Sequence, residues 1–202
     1  TPQNLLDFGA VAANETVGDS LWDGYFVLAN DITMTSAYTT FGRASVEWDN
    51  PDKSGFRGTF DGQNYNIDNF YQEPCDAGGF VTAMAKGGVI KNVSFTNASP
   101  IRGDGTNGGS GLLCSVGAGT IENVYIQYTS DRAGWVQGQM GAFYTQGCNN
   151  TTAIKNVFVD ARILAGEYNT ALGAAYPASE NYRGVYCVGV TPEHGYKKQD
   201  QA

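Results

Sequence analysis

The most regular feature of the sequence is a short pattern of apolar and polar residues that occurs three times. The segments GVIKNVSF, GTIENVYI and TAIKNVFV share the core Ile-x-Asn-Val, and their isoleucines, Ile90, Ile121 and Ile154, are 31 and 33 residues apart. Two imperfect copies, YNIDNFYQ and NYRGVYCV, flank them, with Ile67 and Tyr182 at the isoleucine position. A period of this length is typical of solenoids, propellers and repeat arrays. It therefore indicates a structural repeat with five visible rows.

A second pattern, a glycine followed by apolar residues, lies about midway between these rows. It reads GGFV, SGLL, MGAF and LGAA, and begins at Gly78, Ser110, Met140 and Leu172. Helical repeats are excluded by the 27 glycines in 202 residues and by the lack of apolar residues at helical spacing. Propeller blades need about 40 or more residues each. The remaining architecture is a parallel β-helix, in which each coil adds about 4.8 Å along the axis.

The spacing of apolar residues within each row predicts a sharp corner. Same-face residues of a straight strand are two apart, yet Ile90 and Val93 are three apart and Phe95 follows two later, so one residue must break the alternation. The asparagine is the natural candidate, because Asn and Gly tolerate positive φ. Stacked amides can also hydrogen-bond along the axis. We therefore predict a ladder of left-handed corners at Asn69, Asn92, Asn123, Asn156 and Gly184.

These patterns predict an all-β chain that folds as a single right-handed parallel β-helix with an asparagine ladder. We expect about five to seven short coils, each stacked on its neighbours. Residues 1–60 would form an N-terminal cap and the opening coils, residues 61–190 the regular coils, and residues 191–202 a polar C-terminal tail. A further prediction is one inward column of valines, formed by Val93, Val124, Val157 and Val185.

The order of motifs resembles the repeat modules called GLUG repeats. The segments YFVLANDITM, from Tyr25, and FRGTFDGQNYNIDNF, from Phe56, precede the glycine-apolar and Ile-x-Asn-Val patterns, and the resemblance covers roughly residues 25–188. GLUG repeats are found in large bacterial surface proteins and in related pectate-lyase-like β-helices. The resemblance implies an extracellular scaffold or adhesin and implies no chemistry. We expect an extracellular location, at a cell surface or on a virion.

Charge and hydropathy narrow the possible partners. The chain has 12 basic and 20 acidic residues, a net charge of −8 and a pI near 4.5, so nucleic acid and anionic membrane surfaces would repel it. The sequence contains no run of about 18 apolar residues, the length that a helix needs to span a bilayer. We expect other domains or subunits of an extracellular assembly as partners, with glycans as a further candidate, and no nucleic acid, membrane insertion, metal or cofactor.

One set of candidate binding residues recurs at nearly the period of the repeat. Arg102, Arg132 and Arg162 are 30 residues apart, and each has an aspartate within two residues. Arginine, aspartate and exposed aromatic side chains are typical of surfaces that bind sugars or proteins. Salt bridges that hold neighbouring loops together are the alternative, and we favour it. The full set is Arg102, Asp104, Asp131, Arg132, Trp135, Arg162 and Tyr168.

No catalytic centre is indicated by the sequence. Polysaccharide-cleaving β-helices need clustered carboxylates, whereas the acidic residues here are spread along the chain. The only histidine, His194, lies in the polar C-terminal segment. We expect no enzyme activity and predict a structural or adhesive module of an extracellular assembly, in a bacterial surface protein or a virion decoration or fibre. The alternative is a tailspike-like domain that binds carbohydrate or degrades polysaccharide.

Overall fold

The computed structural model describes residues 1–12, 21–39, 55–72, 79–99, 110–114, 116–117, 119–129, 140–141, 153–160, 169–170 and 182–188. Within these residues there is one helix, α1 (Pro2–Ala12), and the remaining elements are strands. The strands are β1 (Tyr25–Val27), β2 (Ile32–Thr33), β3 (Thr59–Asp68), β4 (Ala83–Met84), β5 (Val89–Ala98), β6 (Ser110–Gly111), β7 (Val116–Gly117), β8 (Thr120–Tyr128), β9 (Met140–Gly141), β10 (Ala153–Asp160), β11 (Asn169–Thr170) and β12 (Tyr182–Val188).

The described strands form three sheets, and every strand pair is parallel. The large sheet has the order β1-β3-β5-β8-β10-β12, and β2 also pairs with β3. The smaller sheets have the orders β11-β9-β6 and β4-β7. The chain therefore leaves each long strand, passes through one or two short strands of the smaller sheets, and returns to the next position in the large sheet. The predicted all-β class, built from parallel strands, is confirmed.

Valines of successive long strands lie side by side in the large sheet. Val93 pairs with Val124, which pairs with Val157, and Val157 pairs with Val185. The first three side chains are at most 2% exposed. Burying a side chain of this size contributes about 1.5 to 3 kcal/mol. The predicted valine column is therefore confirmed in register. Two flanking columns, Ile90–Ile121–Ile154 and Phe95–Ile126–Val159, are also in register and are fully buried.

A column of glycines precedes the long strands, at a place where neighbouring repeats approach closely. The carbonyl oxygen of Gly88 accepts a hydrogen bond from the Thr120 N–H at 2.8 Å, and that of Gly24 accepts one from Thr59 at 2.9 Å. A Cβ atom on Gly119 would lie 2.4 Å from the Gly88 oxygen. A side chain at this position would therefore push the two repeats apart.

Helix α1 packs on the core at the N-terminal end of the large sheet. The ring centroid of Phe8 lies 4.8 Å from that of Phe26, 5.9 Å from Phe60 and 5.8 Å from Phe80. Leu5, on the same helix, is 4% exposed. The pattern of the sequence predicts an N-terminal cap here but does not predict a helix. The helix buries apolar side chains against the aromatic rings at the β1 end of the core.

The imperfect copy YNIDNFYQ does not have the predicted register. Ile67 pairs with Phe95, and the partner of Ile90 is Phe60. The physical reason is a bulge in β3, where residues 62–64 lie opposite a single asparagine of β5. The resemblance of YNIDNFYQ to the other rows therefore placed the first row seven residues too late.

The last copy of the glycine-apolar pattern is also shifted. Gly111 pairs with Gly141 as predicted, but Met140 pairs with Asn169, three residues before the predicted Leu172. The spacing of the long strands shortens to 28 residues at this point, so the short strand between them comes earlier. The predicted tail, residues 191–202, lies outside the described residues.

Candidate functional site

The loop residues predicted as a binding surface lie outside the part of the chain that the structure describes. These are Arg102, Asp104, Asp131, Arg132, Trp135, Arg162 and Tyr168. The large sheet presents three described features, namely its asparagine corners, a charged cluster around Asp61, and its outward face.

Each central long strand turns a corner at its asparagine. The φ angles are 53° at Asn92, 55° at Asn123 and 51° at Asn156, all in the left-handed region. The predicted left-handed corner is therefore confirmed at these three residues. In β12, Gly184 lies opposite Asn156, because Arg183 and Val185 on either side of it pair with Lys155 and Val157.

The side-chain amides at these corners form a hydrogen-bonded ladder. The Nδ2 of Asn156 donates to Oδ1 of Asn123 at 3.1 Å, and the Nδ2 of Asn123 donates to Oδ1 of Asn92 at 2.9 Å. The Nδ2 of Asn92 donates to Oδ1 of Asp61 at 3.0 Å. All three amides donate in the same direction, so their dipoles are aligned and the chain ends on a carboxylate. A charged acceptor makes the last hydrogen bond the strongest of the three.

The prediction that Asn69 belongs to this ladder is wrong. Asn69 has a positive φ of 57°, but its Nδ2 donates to the backbone oxygen of Met34 at 2.7 Å. It lies at a second corner together with Asn97, whose φ is 49°, because the preceding residues Asp68 and Thr96 are partners. The bulge in β3 is the reason, since it moves the first row out of the predicted register.

Asp61 takes the place at the end of the ladder and is surrounded by donors. It is 8% exposed and accepts hydrogen bonds from the Gln63 N–H at 2.9 Å, the Tyr25 hydroxyl at 2.9 Å and Asn92 at 3.0 Å. The Nζ of Lys91 lies 3.3 Å from its second oxygen. Burial would raise the pKa of Asp61, but the hydrogen bonds from these four groups outweigh it and lower the pKa to about 2.

Asp61 therefore carries a negative charge at neutral pH, and Lys91 balances it. A carboxylate with so low a pKa has no proton to donate, so it acts here as a hydrogen-bond acceptor. The pKa of Lys91 is raised, chiefly by its hydrogen bond to Asp61 and by the charge of that carboxylate. Charged side chains continue in register along the sheet as Asp61, Lys91, Glu122, Lys155 and Arg183.

Asp61 is not among the residues predicted from the sequence, although the period contains a signal for it. Phe60 precedes Ile90 by 30 residues, close to the intervals of 31 and 33 in the central rows, whereas Ile67 precedes Ile90 by only 23. Similarity of residue type favoured Ile67, and constant spacing favoured Phe60. The structure follows the spacing.

Polar side chains on the outward face of β3 and β5 hydrogen-bond to one another. Ser94 Oγ donates to Asn66 Oδ1 at 2.9 Å, and Asn66 Nδ2 donates to Thr96 Oγ1 at 2.7 Å. The Oγ1 of Thr96 and the Nδ2 of Asn97 each donate to Oδ1 of Asp68 at 2.8 Å. This network links β3 and β5 along the outward face, from Ser94 to the second corner at Asn97.

The same outward column becomes aromatic in the later strands. Ser94 is paired with Tyr125, Tyr125 with Phe158, and Phe158 with Tyr186. The rings of Tyr125 and Phe158 are stacked, with centroids 5.6 Å apart and an interplanar angle of 9°. Phe158 is 36% exposed and Tyr186 is 52% exposed.

The described residues contain no group of three or more His, Cys, Asp or Glu side chains placed to hold a metal ion. None of the described helical residues form a segment long and apolar enough to cross a membrane.

Compared with protein-family models, curated proteins and solved structures, the chain matches none of them.

Proposed function

We propose that the chain is a right-handed parallel β-helix that serves as a non-catalytic structural or adhesive module of an extracellular assembly. The observation that carries this proposal is the unbroken series of parallel strand pairs from β3 to β12, in which β5, β8 and β10 place like side chains beside one another. Such a stack is held by contacts between adjacent repeats, so it suits a rigid spacer or scaffold.

The chemistry of the outward face supports a structural role. The carboxylates of Asp61 and Asp68 accept hydrogen bonds from neighbouring strands, and the amides of the corners bond to one another. These groups join one repeat to the next. A general acid would instead need a carboxyl group whose pKa lies near the working pH, and the pKa of Asp61 is lowered to about 2.

The setting of such a module follows from its exposed ends and from its motifs. A stack of parallel strands has an open edge at each end, which adjoining domains or partner subunits would cover. The resemblance to GLUG repeats favours a bacterial surface protein, and a virion decoration or fibre is the other setting we propose. In both, the partners are other domains or subunits, and the location is extracellular.

Electron microscopy of the native assembly tests this function directly. Antibodies against the chain would label intact surface layers, fibres or particles of the source organism at regularly repeated positions. Labelling confined to the cell interior would overturn the proposal.

Substitutions in the predicted loop surface separate a structural role from a glycan-binding role. If the arginine loops only brace the repeats, Arg132→Ala and Trp135→Ala will lower the melting temperature slightly and leave assembly intact. Glycan-array binding that both variants abolish, with an unchanged melting temperature, would assign the surface to carbohydrate instead. Cleavage of a polysaccharide by the wild-type chain would overturn the non-catalytic role.

A further inference from the structure

A groove runs between helix α1 and the first strand of the large sheet. It has a volume of about 260 Å³ and its floor is apolar, formed by Leu5, Phe8, Ile32 and Phe60 among others. One wall is the N-terminal half of α1, and the other is the continuous segment 26–30. The groove is smaller than the roughly 300 to 1,000 Å³ of a site for a drug-sized ligand. Its size suits one or two apolar side chains.

The strand wall of the groove has a free hydrogen-bonding edge. Among the described strands, β1 pairs only with β3. The carbonyl of Gly24 and the N–H of Leu28 bond to β3, at 2.9 and 3.1 Å. In a parallel pair, alternate residues direct their backbone groups to opposite sides, so those of Tyr25 and Val27 point away from β3. Val27 lines the groove and is 49% exposed. An added strand could pair with this edge.

Helix α1 restricts what can occupy the edge. Phe8 packs against Phe26, Phe60 and Phe80, so the helix covers the end of the core on which another complete repeat would stack. The space left beside β1 admits a single extended segment that pairs with the strand edge and places its side chains against the apolar floor. This arrangement is a form of β-strand addition.

Charge defines the segment further. The described residues 1–12 and 21–39, which build both walls, contain three acidic residues and no Lys, Arg or His. Asp23 is paired with Arg57 at 2.8 Å. Asp7 and Asp31, each next to a residue that lines the groove, are exposed. A peptide with basic residues beside its apolar residues would be attracted to this rim.

We propose that the groove between α1 and β1 binds an extended peptide of another protein, in which apolar residues alternate along the strand and basic residues flank them. Its backbone pairs with the edge at Tyr25 and Val27, and its apolar side chains enter the groove. The proposal adds a class of partner to the structural role and does not depend on it, since antibody labelling of the native assembly is independent of peptide binding.

Fluorescence anisotropy with synthetic peptides tests this inference on the whole chain. The probe is a fluorescein-labelled peptide Lys-Val-Thr-Val-Thr-Val-Lys. Its controls carry glutamate in place of lysine, or N-methyl groups on every internal amide. We expect saturable binding of the probe and at least about tenfold weaker binding of each control. Absence of saturation up to about 1 mM, or equal binding of either control, would overturn the proposal.

A matched pair of variants locates the binding. Ala29 is exposed and lines the groove, whereas Thr33 is exposed on the neighbouring β2 and does not line it. Ala29→Arg should weaken binding at least about tenfold by filling the groove and repelling the probe, and Thr33→Arg should change it less than about twofold. Thermal melts of both variants check that they are folded.

Amide hydrogen exchange and sedimentation provide two further tests of peptide binding. Binding should protect the Val27 amide, because that N–H would donate to the peptide. Equal affinities of the two variants, or no protection at Val27, would place the peptide elsewhere and overturn the proposal. Self-association that Ala29→Arg abolishes would identify the occupant as a second copy of the chain, which would also overturn it.

Discussion

The central repeats and the opening segment of the large sheet follow the same plan, but only the central repeats show it in their sequence. In β5, β8 and β10, each Ile-x-Asn-Val pattern lies in register with the next. In β3, the most similar segment is displaced, and Ile67 pairs with Phe95 instead of Ile90. A repeated pattern therefore indicates the register only where no residue is inserted between its fixed positions.

The two regions also differ in how their cores are filled. The central repeats stack aliphatic side chains of similar size in columns, as in Ile121 on Ile154. The opening region packs aromatic rings from α1, β3 and the loops around Phe80, whose ring centroid lies 4.6 Å from that of Phe60. A middle repeat has a like neighbour on each side, whereas the end of the stack must be closed by side chains of different shapes.

The largest expected effect comes from the residue that joins the two regions. Phe80 is fully buried, and its ring lies within 6 Å of those of Tyr38 and Phe95. Phe80→Ala should lower the free energy of unfolding by about 4 kcal/mol, measured by denaturant titration. Phe158→Ala, which removes the same ring from an exposed position, should cost less than about 1 kcal/mol. If the two substitutions lower the unfolding free energy equally, the packing between the two regions does not depend on Phe80.

The second largest effect is expected at Gly119, where neighbouring repeats approach closely. Gly119→Ala places a Cβ atom 2.4 Å from the Gly88 carbonyl oxygen, and should cost about 2 to 3 kcal/mol in unfolding free energy. Gly87→Ala is the control, because Gly87 has a positive φ of 95° but open space around its Cβ position. A cost at Gly119 no greater than that at Gly87 would mean that backbone strain, and not contact between repeats, limits these glycines.

The third prediction separates the two roles of a ladder asparagine. Asn123→Ala loses both amide hydrogen bonds and places a Cβ-bearing residue at a φ of 55°, so we expect a loss of about 2 to 3 kcal/mol. Asn123→Gly loses the same bonds without the strain and should cost about 1 kcal/mol less. Chemical denaturation of both variants measures the difference. If Asn123→Gly costs as much unfolding free energy as Asn123→Ala, the amide hydrogen bonds contribute more to stability than the left-handed corner does.

The smallest effect concerns pH and the carboxylate end of the ladder. The pKa of Asp61 is lowered to about 2 in the folded chain, below its ordinary value of 3.8. The resulting stability, about 2 kcal/mol, is fully present above the unfolded-state pKa and is lost as the pH falls from about 4 to 2.

Comparison of the wild type with Asp61→Asn isolates this contribution, since the other acidic residues are common to both. Unfolding free energies measured between pH 2 and 6 should fall more steeply with acid in the wild type than in the variant. Parallel profiles would show that Asp61 is not held ionised by its donors.

Much of the fold could be predicted because each part of the repeated pattern has a local physical meaning. The three-residue step from Ile90 to Val93 requires a corner, and only Asn or Gly adopts a positive φ readily. The even period requires parallel stacking of like strands. The amide ladder from Asn92 to Asn156 follows from both facts, and needed no structure to be proposed.

The period, the inward columns and the left-handed corners of the central repeats can be read from the sequence alone. The structure was needed to see that a bulge in β3 replaces Asn69 by Asp61 at the end of the ladder, and that α1 covers the core beside β1. The physical reason is the range of the interactions. The face and corner of a residue depend on its immediate neighbours, whereas the register of an irregular strand depends on hydrogen bonds and packing with residues about 30 positions away.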